Sequence, residues 1–135
     1  KMLSHPYFKR RHPKSTGKEI FNIRFIPKQL LKRPSHDILA TLTELTAICI
    51  AKSIHSLKQS PQEVIVCGGG LKNNFLVSSI ERHINMNLTA SDQYGINPQA
   101  IEAMAFGWMA RQRLNKNPLT VKKNKGLLGT LTKAR

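Results

Sequence analysis

Acidic residues are scarce in this chain: its 135 residues hold 7 Asp and Glu against 22 Lys and Arg, a formal charge of +15. Cysteine is nearly absent, with Cys49 in an apolar helical pattern and Cys67 at the end of an apolar strand pattern. Neither belongs to a Cys-x-x-Cys motif, and the five histidines show no ligand spacing, so a zinc module is excluded and no metal ligands are assigned. Two buried thiols in a reducing compartment are the expected state. No run reaches the roughly eighteen consecutive apolar residues that suggest a membrane span. The opening Lys1-Met2-Leu3-Ser4-His5-Pro6 has no apolar core of signal-peptide type. Aromatics make up only 6% of the chain and are not interleaved with the basic tail.

The charge invites a nucleic-acid reading, because basic surfaces displace counterions from phosphate backbones. It is concentrated at the two ends, however, with Lys122, Lys123, Lys125, Lys133 and Arg135 crowding the tail. Without stacking aromatics this describes a basic loop and a basic tail rather than a nucleic-acid groove. A nucleic-acid-binding module stays as an alternative function, beside a non-catalytic nucleotide-binding domain.

Apolar residues account for 40% of the chain, enough for one domain with a core. Residues 1–34 carry Pro6, Pro13, Pro27 and Pro34 and read as a basic, loop-rich lead-in. Within it, Ile20–Ile26 suits a strand or a packed extended segment. A helix is predicted from Ser35, as its cap, to about Leu57, burying Ile38, Leu42, Leu45, Ile48, Cys49 and Ile54. Glu63–Cys67 reads as a strand buried on both faces. A second helix, capped by Asn73 or Asn74, runs to Ile84 with Phe75, Leu76, Ile80 and Ile84 inward. Leu88–Ser91 suits another short strand. A third helix starts at Asn97-Pro98, where proline is tolerated, and runs to about Leu114. Its stripe of Ile101, Met104, Ala105, Trp108 and Met109 is expected in the core. The order makes residues 35–114 an α/β core, followed by a basic tail over 115–135.

Between the first strand and the second helix lies Gly68-Gly69-Gly70. Glycines let a backbone approach a ligand closely and adopt positive φ. A helix N-terminus offers N–H groups and a positive dipole end to an anion. The carboxyl end of a strand is where open α/β sheets bind ligands. The segment therefore suits a nucleotide, with a plain tight turn as the alternative. It lacks the Gly-x-Gly-x-x-Gly spacing of dinucleotide folds and the Gly-Lys-Ser/Thr of a P-loop.

The run Cys67-Gly68-Gly69-Gly70-Leu71-Lys72-Asn73 resembles the C-terminal phosphate and adenosine loop of the acetate kinase, hexokinase and actin superfamily. Three further blocks narrow the resemblance to anhydro-N-acetylmuramic acid kinases. They are His5–Phe8 with Pro13–Asn22, then Ala40–Ala47, then Asp92–Ile96 with Glu102–Ala110. All four fall in the family's order over about residues 5–118. The resemblance implies an actin-like (ribonuclease H-like) half-domain, a small sheet with packed helices, incomplete without an N-terminal half. It implies a cytoplasmic enzyme that uses ATP and Mg²⁺ to open a 1,6-anhydro sugar with water and phosphorylate O6. It also implies a homodimer when full length. The first phosphate loop and the general-base Asp belong to that N-terminal half, so no catalytic residue is assigned here, and the isolated chain is expected to be inactive.

On this reading Gly68, Gly69, Gly70 and Asn73 face the nucleotide, with helix capping as the other role of Asn73. Glu102 is a sugar ligand or an acid placed to suit a helix dipole. Ser15, Thr16 and Gly17 line the cleft or form a turn. Two departures stand out: Lys18 replaces the family's usual Arg, losing the bidentate fork, and His5 stands where Asp is common.

Overall fold

A computed structural model describes residues 1–11, 14–121 and 124–126. The fold is helix-rich α/β with a small two-stranded parallel sheet. The elements run α1 (Pro6–Lys9), α2 (Lys28–Leu31), α3 (Ser35–His55), β1 (Val64–Val66), α4 (Asn74–Ile84), β2 (Leu88–Ala90), α5 (Ile101–Leu114), β3 (Leu119–Val121) and β4 (Asn124–Gly126). Strands β1 and β2 pair with each other, and β3 and β4 form a separate antiparallel hairpin in which Leu119 faces Gly126. The chain divides into two compact units, Lys1–Val64 with Asn73–Leu88, and Ile65–Lys72 with Thr89–Arg135.

The first unit is organised on α3 and α4. Ala47 and Ala51 are buried on α3, while Ser79 and Ile80 are buried on α4. The small alanine side chains permit the close approach that ridge-and-groove helix packing needs. Ile38, Leu42, Leu45, Ile48, Cys49 and Ile54 are half-buried, on the expected stripe. Phe75, expected inward, is 46% exposed; it lies in the first turn of α4, ahead of the buried Ser79–Ile80 stretch. The α3 start also differs from expectation: Pro34 occupies the cap position without a side-chain cap bond, and Ser35 is already helical. Asn73 does cap α4, its Oδ1 accepting from Leu76 N at 3.0 Å. The helix ends at Asn85 in the left-handed region, with φ 54°.

Helix α3 is, among the described residues, long and apolar enough to cross a membrane by length and composition. Its Glu44 nevertheless binds across to α4. Arg82 Nη2 lies 3.0 Å from both carboxylate oxygens, and His83 Nε2 lies 2.6 Å from Oε1. Those bonds hold the Glu44 carboxyl below its ordinary pKa, the His83 contact first, then Ser79, then Arg82.

Residues 20–26 are not a strand. They turn, with a short 3₁₀ segment at Ile23–Phe25 capped by Asn22 Oδ1 accepting from Arg24 N at 2.9 Å. The turn serves packing. Phe21 and Phe25 stand edge to face at 5.0 Å, and Tyr7 meets Phe21 at 5.4 Å. An extended chain would carry alternate rings to opposite faces.

In the second unit three expectations fail together. Ile65 is 53% exposed, so β1 is not covered on both faces; it has one neighbouring strand. Cys67 is exposed rather than buried, whereas Cys49 in the first unit is half-buried with its thiol pKa raised by that burial. Trp108 is 54% exposed and Met104 is also open, while Met109 is half-buried. Periodicity identifies an apolar face but not what lies over it, and the described residues cover this face of α5 only in part. The predicted tail begins as the β3–β4 hairpin; Lys122, Lys123, Lys133 and Arg135 lie outside the described residues.

Candidate functional site

The glycine segment is more firmly fixed than a flexible loop. Gly68 leaves β1 with φ +89°, in the region that disfavours side chains. Its N–H donates to the Pro98 carbonyl at 2.8 Å. Its own carbonyl accepts from Gln99 Nε2 at 3.0 Å and from Leu71 N at 3.3 Å. Gly69 then opens a 3₁₀ turn over Gly69–Lys72. Among the described residues, apart from its chain neighbours, a Cβ placed on Gly69 would meet no atom within 4 Å, and its φ is not positive. The space beside Gly69 is therefore open, and Gly69 and Gly70 are both exposed.

The clasp on Gly68 also explains why α5 begins late. The helix was expected from Asn97-Pro98 but starts at Ile101. With the Pro98 carbonyl turned to Gly68, residues 98–100 form a turn instead. Asn97 still does cap-like work, its Oδ1 accepting from Gln99 N at 2.9 Å. Neither Pro98 nor Gln99 was expected to act at the glycines. The available signal was the Asn-Pro-Gln segment itself, read as a helix start and nothing more.

Glu102 lies in the first turn of α5, exposed, in the same unit as the glycines. A carboxylate at this end of a helix is favoured by the dipole and accepts hydrogen bonds from hydroxyl groups. Asn73 belongs to the other unit, and its side-chain oxygen is engaged in capping α4.

Ser15, Thr16 and Gly17 also lie in the first unit. Here the turn reading has direct structural content. Glu19 Oε1 accepts from Gly17 N at 2.7 Å and from Thr16 Oγ1 at 3.1 Å. Backbone N–H groups of Glu19 itself and of Gly17, then the Thr16 hydroxyl, hold the Glu19 carboxyl below its ordinary pKa. Asn22 Nδ2 closes the far side by donating to the Lys18 and Glu19 carbonyls at 2.9 and 3.1 Å. Ser15 is exposed beside this turn.

Among the described residues no three His, Cys, Asp or Glu side chains gather into a metal site. What the second unit presents chemically is an open backbone turn after a strand, rigidly anchored, with one carboxylate on the helix that follows. That arrangement suits binding and orienting a polar ligand; it contains no nucleophile–base pair.

Comparison with known proteins adds an independent line. A family model described as anhydro-N-acetylmuramic acid kinase matches residues 1–132. A protein of that name from Gamma-proteobacterium EBAC31A08 is 41% identical, the match covering 100% of this chain and 38% of the relative. One from Saccharophagus degradans is 42% identical over 87% of this chain and 33% of its own length. One from Hydrogenovibrio crunogenus is 35% identical over 89% and 34%. The chain thus spans at most 38% of the length of these relatives.

Proposed function

The chain belongs to the anhydro-N-acetylmuramic acid kinase family, and from that premise we propose that it forms the C-terminal, nucleotide-facing part of an ATP-dependent sugar kinase. The full protein opens 1,6-anhydro-N-acetylmuramic acid with water and places the γ-phosphoryl group of ATP on O6. It does so in the cytoplasm, as a homodimer, with an actin-like fold whose N-terminal half supplies the first phosphate loop and the general base. Helix α3 is then an interior helix of that fold rather than a membrane span, consistent with its packing on α4 and its bridged Glu44.

The observation that carries the proposal is the open, anchored turn at Gly68–Gly70. Phosphoryl transfer depends on positioning and charge stabilisation more than on covalent chemistry by the protein. Gly69 and Gly70 bring bare backbone to the nucleotide, and Gly68 fixes where that backbone stands. Glu102 accepts hydrogen bonds from sugar hydroxyls. Ser15, Thr16 and Gly17 form a rigid turn at the cleft edge, and Asn73 serves the nucleotide by fixing the start of α4. Mg²⁺ accompanies the ATP phosphates and neutralises their charge; no described residue is assigned to it.

Gly69→Ala in the full-length protein tests the turn. The added methyl meets no atom of the described residues, so the melting temperature should hold, while the methyl intrudes on a nucleotide seated there. An ATP Kd raised about tenfold or more by calorimetry is expected; an unchanged Kd removes the nucleotide from this turn. The 135-residue chain alone should release no ADP in a coupled assay with the anhydro-sugar. Robust turnover from it would overturn the assignment of the general base to the other half.

A further inference from the structure

We propose that Gln99 is a positioning residue for the nucleotide: through its amide it holds Gly68, and so the whole glycine turn, in the conformation that receives ATP. This rests on the reading of Gly68–Gly70 as the nucleotide turn.

Two consecutive residues clamp one glycine. The Pro98 carbonyl takes the Gly68 N–H at 2.8 Å, and Gln99 Nε2 reaches the Gly68 carbonyl at 3.0 Å, across 31 positions of sequence. Both polar groups of the Gly68 backbone are thereby spent inside the protein. Contact with a phosphate oxygen then falls to the N–H groups of Gly69 and Gly70, and the plane of the Gly68–Gly69 peptide sets the direction in which the Gly69 N–H points. That peptide plane is held at its oxygen by two donors, the Leu71 N–H at 3.3 Å from within the turn and Gln99 Nε2 at the shorter 3.0 Å from outside it. Proline has a restricted φ and no N–H of its own, which makes Pro98 a stiff anchor on the other side.

Gln99 is exposed, and holding a long amide side chain in one conformation costs entropy comparable with the net return of one neutral hydrogen bond. Its bond therefore does little for stability and much for geometry. The main chain of Gln99 is itself steadied, its N–H donating to Asn97 Oδ1 at 2.9 Å. Helix α5 begins two residues further on, so the segment that holds the glycine turn also leads directly into the helix bearing Glu102.

The test is Gln99→Met in the full-length protein, which keeps side-chain length and removes the donor, with Gln99→Ala as a second variant. Calorimetry with ATP and separately with the anhydro-sugar is combined with thermal melting and steady-state kinetics. The expected result is an ATP Kd and KM raised about fivefold, the worth of one neutral hydrogen bond, with sugar KM and melting temperature unchanged. Either of two results overturns the inference: unchanged ATP affinity in both variants, or a parallel loss for ATP and sugar together with a lower melting temperature. Gly69→Ala separates the two levels. If it abolishes ATP binding while Gln99→Met leaves it intact, only the role of Gln99 falls. If neither variant alters ATP binding, the nucleotide turn falls with it.

Discussion

The α3–α4 pair and the Gly68–α5 region are built on opposite plans. In the first, apolar and polar contacts coincide: Ala47, Ala51 and Ile80 are buried, and Glu44 bridges to Arg82 and His83 beside them. In the second, hydrogen bonds fix the backbone while the apolar face stays open, with Met104, Phe106 and Trp108 more than half exposed. The first region is stabilised by its own packing. The second is shaped by hydrogen bonds at Gly68, and its large side chains contribute little burial. Backbone precision and hydrophobic stability are thus separable within one short chain.

Substitutions can break this contrast, and the largest effect belongs to the packed pair. Ile80→Ala should lower unfolding free energy by about 3 kcal/mol, since it empties a buried site between two helices. Urea denaturation measures it, and a loss below about 1 kcal/mol would mean that the pair is not the core. Gly68→Ala comes next, at about 1–2 kcal/mol, because alanine is strained at φ +89° whether or not a ligand is present. Comparison with Gly69→Ala, which is free of that strain, isolates the conformational part.

Glu44→Gln should cost about 1 kcal/mol near neutral pH, discounted for the exposure of Arg82. The sign of its pH dependence follows from the lowered carboxyl pKa. A depressed folded-state value gives stability that is present above the ordinary carboxyl pKa of 4.5 and is lost as pH falls through the folded value. The gap between wild type and Glu44→Gln should therefore narrow in acid; a gap that widens below that pH contradicts the bridge. Trp108→Ala should be the mildest in this chain, below about 1 kcal/mol, because the ring is 54% exposed. In the full-length protein the same substitution should cost several times more if the remaining chain covers α5, which sharpens the comparison directly.

The sequence made the helices legible because their signals are local. The α3 stripe, the Asn73 cap and the end of α4 follow from spacing and side-chain chemistry within a few residues. The glycines were legible as a turn for the same reason, as backbone without Cβ after an apolar run, and their service to a nucleotide is the proposal made above. What stayed hidden is non-local. Pro98 and Gln99 act on a glycine some thirty positions earlier, and that bond displaced a helix start that proline and asparagine otherwise predict well. The exposure of Trp108, Ile65 and Cys67 was hidden for a related reason. A period of 3.6 or 2 shows which side is apolar, but cover comes from elsewhere in the fold. The aromatic turn at residues 20–26 was missed because β-branched and aromatic residues favour strands in isolation, whereas Phe21 and Phe25 pack onto α1 here.

The two thiols differ in a way that turns the molecule into its own reporter. Cys67 is exposed and precedes Gly68 directly, whereas the half-buried Cys49 has its pKa raised and offers less thiolate at neutral pH. A maleimide dye added in limiting amount should therefore attach to Cys67 first. Its emission would then report on the surroundings of the glycine turn, and a change on adding ATP to the full-length protein would test the nucleotide contact proposed there.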